Sequence, residues 1–230
     1  MNIRSFLVLI LINFACIWSA ETAGTKHSSR KPAKKKALIF LHGHPGGPRS
    51  PKIRQLQDRL RRNRVAVVAP NLNRGTGGKD GFSVGRAMSR IQRLIKKEKF
   101  TDVVIVGHSM GGRIAADLAE LGLPELRGLV LYAPAIGLPA KSAHGLKAQK
   151  DLAQRKRYPA LPKGLQTLIF HANEDNIVRA SKSKAFVTRN PQAELRLLAN
   201  DDHALRHQND RVVEDTAAFV RDVFRRKTRK

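Results

Sequence analysis

The sequence predicts an α/β fold: a mostly parallel central sheet of at least six strands with helices on both faces. Three observations carry this. Short apolar runs recur along the chain, amphipathic helical patterns alternate with them, and a Gly-x-Ser-x-Gly turn sits where one run gives way to a helix. Strands that read as unbroken apolar runs are buried on both faces. Their alternation with helices implies crossovers between parallel neighbours.

The elements follow in order. Ala37 to Leu41 is a compact apolar run ending at His42-Gly43. Arg54 to Arg62 spaces leucines among charges, as an amphipathic helix does. Val65 to Ala69 is a second strand, stopped by Pro70, and Val84 to Ile95 a helix with Ile91, Leu94 and Ile95 on one face. Asp102 to Val106 runs into Gly107 as the third strand, and Arg113 to Leu121 reads as helix. Leu129 to Tyr132, Leu165 to Phe170 and Leu195 to Leu198 are the fourth, fifth and sixth strands, and Val212 to Phe224 closes the pattern as an amphipathic helix. Between the fourth and fifth strands, residues 135 to 164 are rich in lysine and alanine with Pro139, Pro159 and Pro162; they predict a helix plus loops over the site, too short for a large lid domain. The expected domain spans residues 37–224.

The ends differ from this domain. Residues 1–20 open with one basic residue, Arg4, continue through the apolar run Phe6 to Ile12, and finish on Ser19-Ala20. That order is the order of a secretory signal peptide, cleaved after Ala20 or Ala23, and it predicts an exported protein; an uncleaved membrane anchor is the alternative. The apolar stretch is shorter than the roughly 20 residues a spanning helix needs. Residues 21–36 read as a flexible basic lead-in and 225–230 as a basic tail.

Composition narrows the chemistry. The 230 residues allow one domain with a sizeable core, and Cys16, the single cysteine, lies in the leader. Disulfides, a cysteine nucleophile and thiolate metal sites are thereby excluded from the domain. The formal net charge is +26 from 44 basic and 18 acidic residues, and removal of Arg4 with the leader leaves +25. Such a chain is expected to make nonspecific contact with anionic surfaces. With aromatics at 5% and no nucleic-acid module, it gives no sign of a specific nucleic-acid partner.

In a doubly covered parallel sheet the site forms at the carboxyl ends of the strands. Ser109, in Gly107-His108-Ser109-Met110-Gly111, follows the third strand and precedes a helix, the context of a nucleophile elbow. A serine hydroxyl needs a base, and the base needs an orienting acid. Asp175, after the fifth strand, is the expected acid, with Glu174 as alternative; His203, after the sixth, is the expected base, with His207 as alternative. The loop His42-Gly43-His44-Pro45-Gly46-Gly47 suits an oxyanion loop, with the N–H groups of His44 and Met110 as donors. His42 reads as a structural loop residue. The segment Gly75 to Gly81 lacks the spacing of a phosphate loop, and His203 and His207 lack the intervening glutamate of a zinc-protease helix. No metal or cofactor is expected.

These motifs resemble the α/β-hydrolase superfamily from about Lys36 to Phe224: the His-Gly-His-Pro-Gly loop, Gly-His-Ser-Met-Gly-Gly, the turn Asn73-Arg74-Gly75-Thr76-Gly77-Gly78, and the late pair Asp175 and His203. The resemblance implies a serine–histidine–aspartate triad, a two-donor oxyanion hole, and hydrolysis of a small acyl substrate, an ester, thioester or amide, through an acyl-enzyme. A carboxylic ester or thioester is the leading expectation. The contrasting expectation is a noncatalytic protein that binds polyanions or an anionic envelope on a hydrolase scaffold.

Overall fold

Each run predicted as a strand is a strand. A computed structural model describes residues 34–44, 46–73, 82–140 and 146–226. The leader, most of the lead-in, the turn at 74–78 and the last four residues of the tail lie outside the described residues.

The order is β1 (Lys36–Leu41), α1 (Pro51–Leu60), a 3-10 turn (Arg61–Asn63), β2 (Val65–Val68), α2 (Val84–Glu98), β3 (Asp102–His108), α3 (Met110–Glu120), β4 (Leu126–Tyr132), α4 (Leu146–Ala153), β5 (Gln166–Ala172), α5 (Ser181–Arg189), β6 (Ala193–Leu198) and α6 (Asn209–Arg226). The six strands form one sheet in the order β2-β1-β3-β4-β5-β6, and every neighbouring pair is parallel.

The two faces sort the side chains by parity, as a pleated strand must. Ile39, Ile105, Leu129 and Ile169 pack with Ile91 of α2 and Ile114 of α3. Leu38, Val104, Val130 and Leu168 pack with Leu56 of α1 and Val213 and Val220 of α6 on the other face. Helices therefore cover both faces. Tyr132, fully buried, hydrogen-bonds Thr216 of α6 at 2.7 Å, which ties the centre of the sheet to the last helix.

Two elements depart from the sequence reading. Helix α5 went unpredicted because its residues are mostly polar: only Ser183 and Phe186 are buried, so no apolar stripe marks it. The segment after β4 carries α4, but its described part packs against α2 and α3. Asp151 accepts from Ser83 Oγ at 2.8 Å and the Gly85 N–H at 3.2 Å, at the start of α2. Arg113 of α3 donates to the Lys156 carbonyl at 2.7 Å.

Candidate active site

Ser109 sits between β3 and α3 with φ 52° and ψ −116°. A non-glycine residue there is strained, by about 1–3 kcal/mol. Three backbone hydrogen bonds hold it: its N–H donates to the Tyr132 carbonyl at 2.9 Å, and its carbonyl accepts from Arg113 at 3.1 Å and Ala135 at 2.9 Å. The flanking glycines are sterically required. A Cβ on Gly107 would lie 2.5 Å from the Gly111 carbonyl oxygen, and one on Gly111 would lie 2.1 Å from that of Leu41. The end of β1 thus runs directly against the start of α3. Met110 is the first residue of α3, where backbone N–H groups lack intrahelical partners and the helix dipole favours negative charge.

Asp175 and His203 come from the loops after β5 and β6 and meet: His203 Nδ1 lies 2.7 Å from Asp175 Oδ2. The other carboxylate oxygen accepts the N–H groups of Ile177 and Val178, each at 2.9 Å. His171, at the end of β5 and fully buried, brings Nε2 to 3.2 Å from Asp175 Oδ2. The same nitrogen is 2.6 Å from the Val178 carbonyl, so it carries the proton, and Nδ1 pairs with the Ser183 hydroxyl at 2.7 Å. Burial raises the Asp175 pKa, but the bonds from His171, His203 and Val178 outweigh it and hold the carboxyl well below its usual range.

His108 holds His203 from the other side. Its Nε2 is 2.9 Å from the His203 carbonyl, and the two rings lie 5.1 Å apart. Burial lowers the His108 pKa to about 4, against the raising effect of that hydrogen bond, so the ring is neutral and donates. His42 is committed to its loop. Its Nε2 accepts from the Leu72 N–H at 2.9 Å, and Nδ1 lies 2.7 Å from the Gly43 carbonyl. Desolvation is the main cause lowering its pKa.

Ser109, His203 and His44 line one open cleft of about 690 Å³, with Phe40, His42, Gly43, Lys52 and His108 also on its wall. The His44 ring packs 5.1 Å from that of Phe82. The alternatives weighed from sequence lie apart. Glu174 is exposed, and the His207 side chain is 66% exposed with Nδ1 3.4 Å from Asp201. Asp201, Asp202 and His207 bring ligand-type atoms within 4.8 Å of one another, but Asp201 is occupied by the backbone N–H groups of Asp202, His207 and Gln208. Nothing in the local sequence singles out His171 or His108 beyond their place beside the strand ends. His171 finds its partners along the segment that follows β5, whereas His108 meets His203 only when the loop after β6 returns to the elbow.

A family model described as the Alpha/beta hydrolase family matches residues 38–157. No curated protein matches the sequence. Among solved structures, Est1E from Butyrivibrio proteoclasticus superposes with a TM-score of 0.69 at 20% identity, covering 85% of this chain and 91% of that one; it has also been solved with ferulic acid bound. An esterase from Exiguobacterium antarcticum gives 0.65 at 15% identity over 82% and 92%. A bromoperoxidase from Bacillus anthracis gives 0.63 at 14% over 82% and 92%. Identities this low, across proteins named for different chemistries, speak for the fold.

Proposed function

The chain belongs to the alpha/beta hydrolase family, and on that premise we propose that it is a serine hydrolase cleaving a carboxylic ester or thioester through an acyl-enzyme on Ser109. The observation that carries this reading is the 2.7 Å contact of His203 Nδ1 with Asp175, at a cleft that His203 shares with Ser109. With Nδ1–H donated to the carboxylate, Nε2 keeps its lone pair.

In this reading the Ser109 oxygen attacks the substrate carbonyl while His203 Nε2 takes its proton. The oxyanion is held by the N–H groups of His44 and Met110, and Asp175 stabilises the imidazolium. Collapse expels the alcohol or thiol, which takes the proton from His203. Water then attacks the acyl-enzyme, giving its proton to His203. The acid product leaves as Ser109 regains that proton. The N-terminal pattern supports export of this hydrolase by a cleaved leader, and the excess of basic residues supports loose contact with anionic surfaces.

The test is Ser109→Ala, assayed on a short p-nitrophenyl ester and with a fluorophosphonate probe. Loss of both turnover and labelling in a folded variant is expected. Turnover equal to that of the parent would overturn the reading, and a parent that neither turns over nor labels would favour a noncatalytic anion binder.

A further inference from the structure

A buried lysine lies in the wall of the cleft. Lys52, on the first turn of α1, is only 8% exposed and lines the same cavity as Ser109 and His203. An ammonium has three N–H donors. One goes to the Leu205 carbonyl at 2.9 Å. Among the described residues no carboxylate lies within 4.0 Å of it, although burying an unpaired charge is costly.

The nearby acids are committed elsewhere. Asp201 takes backbone N–H groups of its own loop, and Asp202 takes the backbone and guanidinium of Arg206. They attract the Lys52 charge from a distance, while desolvation, the larger effect, and Arg206 oppose it. Among the described residues, the cleft wall carries Arg49 and Lys52 and no aspartate or glutamate. Phe40, Pro48 and Ala204 supply apolar surface beside these cations.

We propose that Lys52, with Arg49 at the rim, forms an anion subsite in the cleft, so that the favoured substrate is an ester or thioester bearing a carboxylate or similar anionic group. This rests on the hydrolase reading above. The net charge of +26 fits the same purpose at long range, because a positive field raises the encounter rate of an anionic substrate.

The experiment compares two p-nitrophenyl esters of equal carbon count, the mono-adipate and the hexanoate. The readout is the ratio of their kcat/KM values within each protein, so that any general loss of folding cancels. Lys52→Gln removes the charge but keeps a donor for the Leu205 carbonyl, and Lys52→Arg keeps the charge. The ratio is expected to fall about tenfold or more in Lys52→Gln, the scale of one hydrogen bond to a charged group, and to be largely kept in Lys52→Arg. An equal ratio in the parent and Lys52→Gln overturns the subsite. Binding of monomethyl adipate to Ser109→Ala, with and without Lys52→Gln, separates the two claims. If the parent hydrolyses neither ester but this binding depends on Lys52, the hydrolase reading fails and the subsite stands.

Discussion

His171 Nε2 lies 3.2 Å from the same Asp175 oxygen that His203 Nδ1 approaches to 2.7 Å. One carboxylate oxygen therefore serves two histidines, while the other is fixed by two backbone amides. Asp175 cannot rotate without breaking several bonds, so the direction in which it presents charge to His203 is set before any substrate arrives.

Asp175→Asn is expected to lower kcat by about 10³–10⁴-fold while the fold survives. The amide oxygen can still accept from Ile177 and Val178, but an NH2 group would face both imidazoles and favour the wrong His203 tautomer. Steady-state kinetics beside a thermal melt checks this; a kcat within tenfold of the parent would count against the assigned role.

His171→Phe keeps the volume roughly but removes the donor to Asp175 and to the Val178 carbonyl. The buried carbonyl left unpaired should cost about 1–3 kcal/mol in denaturant unfolding. The freed carboxylate should lower kcat more than it raises KM. A variant with lower stability but parental kcat would make His171 a purely structural residue.

His108 links stability to pH. Its ring takes up a proton at about 4 in the folded protein against an ordinary value of 6.5. Between these values the unfolded chain binds more protons, so this contribution is full above 6.5 and is lost as pH falls towards 4. The stability gap between the parent and His108→Gln should shrink on acidification, with a slope approaching about 1.4 kcal/mol per pH unit. Measuring the gap matters because Asp117, pushed up to about 6 by burial against the pull of Arg113, titrates in the opposite sense. A gap independent of pH between 4 and 6.5 would refute the neutral, donating ring.

Gly111→Ala should destabilise the fold by about 3 kcal/mol or more, since its Cβ would lie 2.1 Å and 2.6 Å from the Leu41 and His42 carbonyl oxygens. Gly47→Ala, with nothing within 4 Å of the added Cβ, should stay within about 0.5 kcal/mol of the parent. Chemical denaturation of the pair reads both.

The central strands were legible because a parallel strand covered on both faces is apolar throughout, as Val103 to Val106 are. Ser109, Asp175 and His203 were legible because each follows a strand end. Helix α5 was hidden because it buries little, so its sequence carries no period. His171 and His108 were hidden for another reason: His171 ends an apolar strand and its bonds depend on how the following loop folds back on it, and the His108 to His203 contact spans 95 residues. Lys52 lies outside the helix predicted from Arg54 to Arg62 and went unmarked, because burial of a lysine by a loop 153 residues away leaves no trace in local pattern.

The pair of strands at the far edge has a kinetic consequence. β6 is the outermost strand beside β5, and His203 hangs from the loop that follows it, 94 residues after Ser109 in the numbering. A chain folding from its beginning can form the strained elbow while the base is still missing. On the proposed mechanism, the Ser109 hydroxyl therefore stays inert until the last strand docks. Recovery of turnover during refolding should lag recovery of helical signal, and would time the closure of the sheet edge.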